Sequence, residues 1–384
     1  MKDRAGQFIL QPGGYRAFIP KPLSPRPPIR YAEELQSLLS EGDRSLARLD
    51  GVITVLPNPD LFIAMYVKKE ALLSSQIEGT QASLEGILEF EADLTPRDDI
   101  ADVREVVNYI KALDYGIRRL TDLPMSLRLI REIHRILLEG TRGSRRNPGE
   151  FRKSQNWIGP PGVPLSEAIF IPPPPEVVAE AMSDIELFLH ARDKIPPLVK
   201  IALTHAQFET VHPFLDGNGR VGRLLITFYL VWQKILSKPV LYLSFYLKKF
   251  RTEYYNLLMK IRTQGEWEEW IEFFLKGIIE TSSEATTTAR EIISLKDMLV
   301  TKLYEHAISS VHAVRLIDLL FQKPLISATD ITTRLSLSKE AVSQLIRRFE
   351  KAGILTEISG KQRYRRYLFK QYVDLIARGT REGI

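Results

Sequence analysis

The chain of 384 residues is 44% apolar and 26% charged, the balance of a globular protein, which excludes a disordered or fibrous chain. It has no cysteine, so a disulfide framework, a thiolate metal site and a cysteine nucleophile are excluded, and the cytoplasm is the expected compartment. The formal charge of +6 is unevenly spread: residues 321–384 carry 13 Lys/Arg against 6 Asp/Glu, while the preceding residues carry 40 against 41. An acidic partner is therefore expected for the C-terminal region.

No apolar stretch followed by a small-residue cleavage site opens the chain, and the longest apolar run, 224–232, is far below the roughly 20 residues that cross a bilayer. Neither export signal nor membrane span is expected. Residues 1–30, rich in Pro, Gly and Arg, read either as an extended arm lying on the body or as a disordered segment. From Tyr31 the pattern turns helical through Leu35, Leu38, Leu39, Leu46 and Leu49, with Gly42 expected to interrupt it. A second helix is expected to stop at Gly79, and further helices at about 82–92, 98–119, 125–141, 176–191 and 196–211.

Residues 151–175 break the pattern. Crowded with Pro and Gly, they hold two β-favouring pieces, QNWIG and AIFIP, and predict a β-hairpin flap on a helical body. Helices then resume over 224–236 and from Tyr246 onward, with Trp267 and Trp270 expected in the core, and 284–303 reads as a connector helix of low apolar content. Three short helical runs and two β pieces around 359–361 follow, the order of a winged helix-turn-helix. Ser338 is the expected N-cap of its recognition helix, with Lys339, Ser343 and Arg347 on the exposed face. Lys361, Arg363, Arg365 and Arg366 would load the wing. Duplex DNA and a protein partner both remain open for this unit.

The stretch VHPFLDGNGRVGR, 211–223, contains a GxGxxG string. A dinucleotide fingerprint needs a strand before it and an acid about 20 residues later. Neither condition is met, and no GxxxxGK[ST] phosphate loop is present. His205, Glu209 and His212 share a helical face but not the HExxH order of a zinc protease, so His205 reads as a hydrogen-bonded helix residue. What remains is a helix end, a glycine turn and a helix start, whose free N–H groups suit an anion. Gly217, Asn218 and Gly219 let that backbone approach closely, and Arg220 and Arg223 project from one face of the new helix. Such a set suits a polyphosphate. Asp216 is placed to hold Mg2+, and His212 to take a proton from a nucleophile.

His212-Pro213-Phe214, Asp216-Gly217-Asn218-Gly219-Arg220 and Arg223 reproduce without departure the HxFx[DE]GNGRxxR motif, and the chain is identified as resembling Fic-domain proteins. The resemblance implies a mainly α fold: a Fic-type helical bundle with a β-hairpin flap, plus a C-terminal winged helix-turn-helix. It divides the chain into an N-terminal Fic-associated region with an inhibitory helix (1–96), a catalytic domain (97–285), a connector (286–310) and the winged helix (311–384). It implies transfer of AMP from ATP to a hydroxyl side chain of a target protein, or of the chain itself, with release of pyrophosphate. His212 would be the base and Asp216 the magnesium ligand. Gly217, Asn218, Gly219, Arg220, Val221, Gly222 and Arg223 would hold ATP, with Phe214 anchoring the loop in the core. Flap residues Trp157, Ile158 and Gly159 would line the nucleotide or register the target strand, and Tyr254 and Tyr255 would flank the adenine.

Ser74-Ser75-Gln76-Ile77-Glu78-Gly79 matches the family's inhibitory [ST]xxxE[GN] motif. Ser74 and Glu78 lie one helical turn apart, and the Glu78 carboxylate could pair with Arg223 where the γ-phosphate belongs. In some relatives the matching glutamate instead supports AMP removal. Other readings stay open at this point: a DNA-binding regulator whose Fic site senses a nucleotide, or transfer of another nucleotide. Target, modified residue and oligomeric state, a homodimer included, are not encoded in these patterns.

Overall fold

The computed structural model describes residues 3–54, 59–160, 162–306, 308 and 310–380. The N-terminal arm lies on the body, one of the two expectations for it, and pairs there into a hairpin that the sequence pattern did not announce. β1 (Gly6–Leu10) and β2 (Arg16–Pro20) pair antiparallel from Gly6↔Pro20 to Leu10↔Arg16. The turn between them closes with Gln11 N–H donating to Tyr15 O at 2.8 Å and Gly14 N–H to Gln11 O at 2.9 Å. The hairpin stays on the body because Phe8 and Phe18 pack against Phe170, with ring centroids 5.1–6.4 Å apart.

Helices follow in order: α1 (Glu33–Thr54), α2 (Asp60–Ile77), α3 (Leu84–Glu91), α4 (Ile100–Arg119), α5 (Leu127–Leu137), α6 (Pro175–His190), α7 (Pro197–Val211), α8 (Asn218–Trp232), α9 (Ser244–Lys249), α10 (Arg251–Gln264) and α11 (Trp267–Glu305). α1 runs straight through Gly42. A Cβ there would lie 3.2 Å from Leu198 Cδ1 and 3.6 Å from Leu275 Cδ2, so this glycine serves the close approach of α1 to α7 and α11 and does not break the helix. α7 is the centre of the bundle. Every residue from Leu198 to Val211 is buried, with α1, α6, α8, α10 and α11 packed around it. Trp270 is fully buried, its indole N–H donating to Ala202 O at 2.9 Å, and Trp267 is buried beside it. A loop hung between α7 and the equally buried α8 therefore sits on the most rigid part of the molecule.

The flap is less regular than a hairpin. Among the described residues of 151–175 there is one bridge, Ile158↔Phe170, and a short 3-10 turn over Leu165–Glu167. Five prolines from Pro160 to Pro174 among the described residues remove the N–H donors that a two-stranded ladder needs. α11, 39 residues long, runs without a break from the helical body through the stretch read as a connector.

Beyond it lie α12 (Val311–Gln322), β3 (Leu325–Ser327), α13 (Ala328–Leu335), α14 (Lys339–Lys351), β4 (Thr356–Glu357), β5 (Arg366–Leu368) and α15 (Lys370–Ile376). The strands order as β3-β5-β4, all antiparallel, which with α13 and α14 makes a winged helix-turn-helix. Ser338 caps α14, its Oγ accepting from Ala341 N at 3.2 Å. α12 and α15 pack on α2 and α11, tying this unit to the helical body. Among the described residues, no helix is long and apolar enough to cross a membrane.

Candidate active site

α7 ends at Val211, and His212 caps it at φ 48°, ψ 59°, a left-handed conformation uncommon for a residue with a Cβ. Gly217, at φ 76°, is the N-cap of α8, and no side chain caps the first turn of that helix. The N–H groups of residues 218–220 have no hydrogen-bond partner among the described residues. The loop is braced from within. The Asn218 side chain accepts from Phe214 N and donates to Phe214 O, both at 2.8 Å. The buried Phe214 ring stacks on His134 at 3.7 Å between centroids. Gly149 N–H donates to His134 Nδ1 at 2.8 Å, which leaves the proton on Nε2 to be donated to Asp216 O at 3.0 Å. Burial pushes His134 down to about 4, so this neutral tautomer holds at physiological pH.

The start of the flap grips the same loop. Arg152, buried and lowered by desolvation to about 10, donates to His212 O at 2.9 Å, Val211 O at 3.3 Å and Pro173 O at 2.5 Å. Asn156 donates to His212 O at 3.2 Å and Phe214 O at 2.9 Å. These donors satisfy carbonyls at the end of α7 and fix where the His212 imidazole stands. Desolvation, then the nearby Arg262 and Arg152 guanidiniums, push that imidazole down to about 3, with Glu78 opposing them. His212 is thus neutral, with a lone pair available, across the physiological range.

Both motif arginines are buried and already engaged. Arg223 Nε donates to Ser74 Oγ at 2.8 Å, and its Nη2 donates to Ser74 O at 2.8 Å and Glu78 Oε1 at 2.7 Å. Glu78 closes the end of α2, and Gly79 at φ 98° turns the chain away, as the sequence implied. Burial alone would raise the Glu78 carboxyl; Arg223, with Arg220 and His212 in electrostatic reach, outweighs it and holds the group below the ordinary carboxylate value. A Cβ on Gly219 would lie 2.2 Å from Glu78 Oε1, so the carboxylate rests directly on the first turn of α8. Arg220 Nη1 donates to Glu105 Oε2 at 3.2 Å, and Glu105 also accepts from Arg142 Nε at 2.9 Å and from Thr80 Oγ1 at 3.3 Å. Glu78 thus lies on the first turn of α8 bonded to Arg223, with Arg220 and His212 in electrostatic reach.

Other expected residues fall elsewhere. Val221 is fully buried, and Gly222 turns its carbonyl to His205 Nδ1 at 2.9 Å, so both serve packing behind the cradle. Asn218 uses its side chain on the loop and leaves only backbone for a ligand. Tyr254 is buried, its hydroxyl donating to His205 Nε2 at 2.9 Å, so it backs the site and cannot flank an adenine; Tyr255 remains 39% exposed. With both nitrogens engaged and burial lowering it to about 4, His205 is a core histidine, as its sequence context suggested. Trp157 is 41% exposed, its indole N–H donating to Val163 O at 3.0 Å, and Ile158 makes the flap's bridge with Gly159 next to it.

In the winged helix, Lys339, Ser343 and Arg347 are exposed along α14, and Lys361, Arg363 and Arg365 are exposed in the wing. Arg366 is not a free cation. It donates to Ala92 O at 3.0 Å and lies 3.8 Å from Asp330, because β5 turns its side chain toward the helical body. Sequence reading missed Glu105, Arg142, Arg152, Asn156, His134 and Arg262. Each acts on the loop from far along the chain, and a single charged or polar residue at no fixed spacing carries no signal.

Asp216 fits a magnesium ion. Its carboxylate side chain is 42% exposed beside the cradle, with Oδ1 accepting from Gly217 N at 2.6 Å and lying 3.7 Å from Arg220 Nη2, while Oδ2 accepts no hydrogen bond among the described residues. One hard, half-solvated oxygen is what Mg2+ takes from protein when phosphates and water supply the other ligands.

Residues 36–118 match the model of the Fic/DOC family N-terminal region, residues 124–230 that of the Fic/DOC family and residues 313–356 that of a winged helix-turn-helix DNA-binding unit. A probable protein adenylyltransferase of Aquifex aeolicus is 32% identical over 182 residues, covering 46% of this chain and 51% of the relative. The protein adenylyltransferase Fic of Drosophila grimshawi is 29% identical over 223 residues, 54% of this chain and 41% of the relative. The chain thus spans about half the length of the curated relatives it matches, or less. In fold it resembles a Fic family protein from Desulfovibrio desulfuricans G20 at a TM-score of 0.57 and 20% identity, with 89% of this chain and 97% of that one covered. It also resembles Fic-1 from C. elegans at a TM-score of 0.50 and 22% identity, with 68% and 74% covered. The chain carries a Fic domain of the Fic/DOC family, preceded by that family's N-terminal region and followed by a winged helix-turn-helix.

Proposed function

We propose that the chain is an autoinhibited protein adenylyltransferase that moves AMP from ATP to a Ser, Thr or Tyr hydroxyl of a target protein. The observation that carries this reading is the Glu78–Arg223 pair lying on the first turn of α8 beside His212. A triphosphate fits the same place: its oxygens would meet the unpaired N–H groups of α8, Arg220 and Arg223. Asp216 would hold the magnesium ion, which on binding neutralises phosphate charge. The neutral imidazole of His212 takes the proton of the target hydroxyl. That oxygen attacks the α-phosphorus, the bond to the β-phosphate oxygen breaks, and pyrophosphate leaves with its electron pair. A base held near pH 3 is weak, but triphosphate charge entering beside Arg152 and Arg262 counters the fields that depress it.

While Glu78 holds Arg223, the γ-phosphate has no partner and ATP cannot seat with its α-phosphorus toward His212. Glu78 and Ser74 are the brake in this reading. The exposed Trp157 and Ile169 of the flap are the docking edge for a target segment, or for the chain's own in self-modification. A second role, binding of duplex DNA phosphates by Lys339, Arg347, Lys361, Arg363 and Arg365, is favoured by their exposure on the recognition helix and wing.

The test is transfer from ATP labelled on either the α- or the γ-phosphate, using the Glu78→Gly chain with magnesium and a cell lysate. α-label should enter protein and γ-label should not. Transfer of γ-label, or of neither, contradicts the proposal.

A further inference from the structure

The inhibitory motif is not left to hold itself. Gln76, between Ser74 and Glu78 on the last turn of α2, spends its whole side-chain amide on tertiary contacts. Its Nε2 donates to Ala82 O at 3.2 Å and to Thr380 O at 3.1 Å, and its Oε1 accepts from Lys248 Nζ at 2.7 Å. Thr380 belongs to the segment that follows α15, the last helix of the winged helix-turn-helix unit. That segment is seated firmly: Ala377 and Thr380 are each 3% exposed, Arg378 pairs with Glu291 on α11, and Gly379 lies at φ 74°. A Cβ at Gly379 would meet Phe245 Cε2 at 2.4 Å, so the backbone lies flat on the α9 ring next to Lys248.

The same helix carries the winged helix along its length. α12 and α15 pack on α2, and Tyr66 of α2 donates its hydroxyl to Ala285 O of α11 at 2.9 Å. Force on the winged helix therefore reaches the turn that presents Glu78 by two routes, the body of α2 and the Gln76–Thr380 contact. A carboxylate that must reach Arg223 over the N-terminus of another helix is sensitive to small rotations of its own helix end.

We infer that the segment 377–380 of the winged-helix unit is a brace for the brake, so that the seating of this unit on α2 sets the strength of inhibition. The inference rests on the reading of Glu78 as the brake. It gives the winged helix a role in the transfer reaction itself: a ligand that shifts α15 or draws the segment away from Gln76 loosens Glu78 and admits the triphosphate in its productive pose. The coupling is reciprocal, so filling of the triphosphate site weakens the hold of Gln76 on Thr380.

Two substitutions in the full chain break the brace from opposite sides. Gln76→Ala removes the amide, and Gly379→Leu drives a side chain into Phe245 and lifts the segment. Each should raise α-label transfer about fivefold, the weight of roughly one net hydrogen bond, and less than Glu78→Gly does. Neither should add to transfer in a chain already carrying Glu78→Gly, since a brace without a brake has nothing to hold. Amide exchange at 77–80, read without any activity assay, should quicken in both. No gain from either substitution while Glu78→Gly activates, or an equal gain on top of Glu78→Gly, or unchanged exchange at 77–80, overturns the brace and leaves the brake standing. Failure of Glu78→Gly itself to activate overturns both.

Discussion

Two clusters of cations share this chain and are used in opposite ways. Arg220 and Arg223 have side chains only 5% and 2% exposed, each held by a carboxylate from another helix, Glu105 and Glu78. Lys361, Arg363 and Arg365 stand in solvent around a wing tip where Tyr364 is 86% exposed at φ 59°. A buried guanidinium must be paired, and a pair that one ligand can displace is a switch. An exposed cation needs no partner and acts through its long-range, salt-screened field. Sequence alone writes both clusters in the same letters.

The sharpest way to break this contrast is to remove a buried partner. Glu105→Ala should cost about 3–5 kcal/mol of stability in denaturant unfolding, because it strands Arg220 in the core. Lys361→Ala should lie within about 0.5 kcal/mol of the parent, and similar costs for the two would erase the distinction.

A second effect belongs to Glu209, fully enclosed on α7 with Oε1 unpartnered, and raised by desolvation to about 7. The folded chain takes up that proton as pH falls below 7, whereas the unfolded chain takes it up only near 4.5. Glu209 therefore adds stability that is complete below pH 4.5 and is lost as pH rises through 7. His134 and His205 act oppositely, costing stability as pH falls from 6.5 toward 4. Glu209→Gln should steepen the acid loss between pH 7 and 4.5 by about 3 kcal/mol. Parallel stability profiles for the two proteins would refute the assignment. The smallest effect concerns Arg366. Arg366→Ala should lower stability by about 1 kcal/mol through its lost bond to Ala92 O and leave the salt dependence of DNA retention unchanged, while alanine at Lys361, Arg363 and Arg365 should flatten that dependence.

The helices and the motif were legible because both are local. A 3.6-residue period marks α1 and α4, and thirteen consecutive residues hold the loop and both arginines. The pairing of Ser74 and Glu78 with Arg223 could be anticipated from the resemblance, although no spacing within the chain encodes a contact across 145 or more residues. Where period and punctuation conflict with packing, packing decides. Gly42 reads as a break and is a contact, and the Pro-rich flap reads as a hairpin and makes one bridge. Tyr254 and Arg366 were misplaced for one reason: the sequence gives residue type but not which way a helix face or a short strand turns. Arg152 and His134, which hold the loop from outside and inside, left no mark at all.

The central claim is that Glu78 and the terminal phosphate of ATP compete for Arg223. A crystal structure of the Glu78→Gly chain with a non-hydrolysable ATP analogue and magnesium tests it most directly. The account predicts γ-phosphate oxygens within hydrogen-bond distance of Arg223 and the α-phosphorus facing His212. A nucleotide seated with its phosphates away from Arg223, or identically placed in the parent chain with the Glu78–Arg223 pair intact, would contradict it.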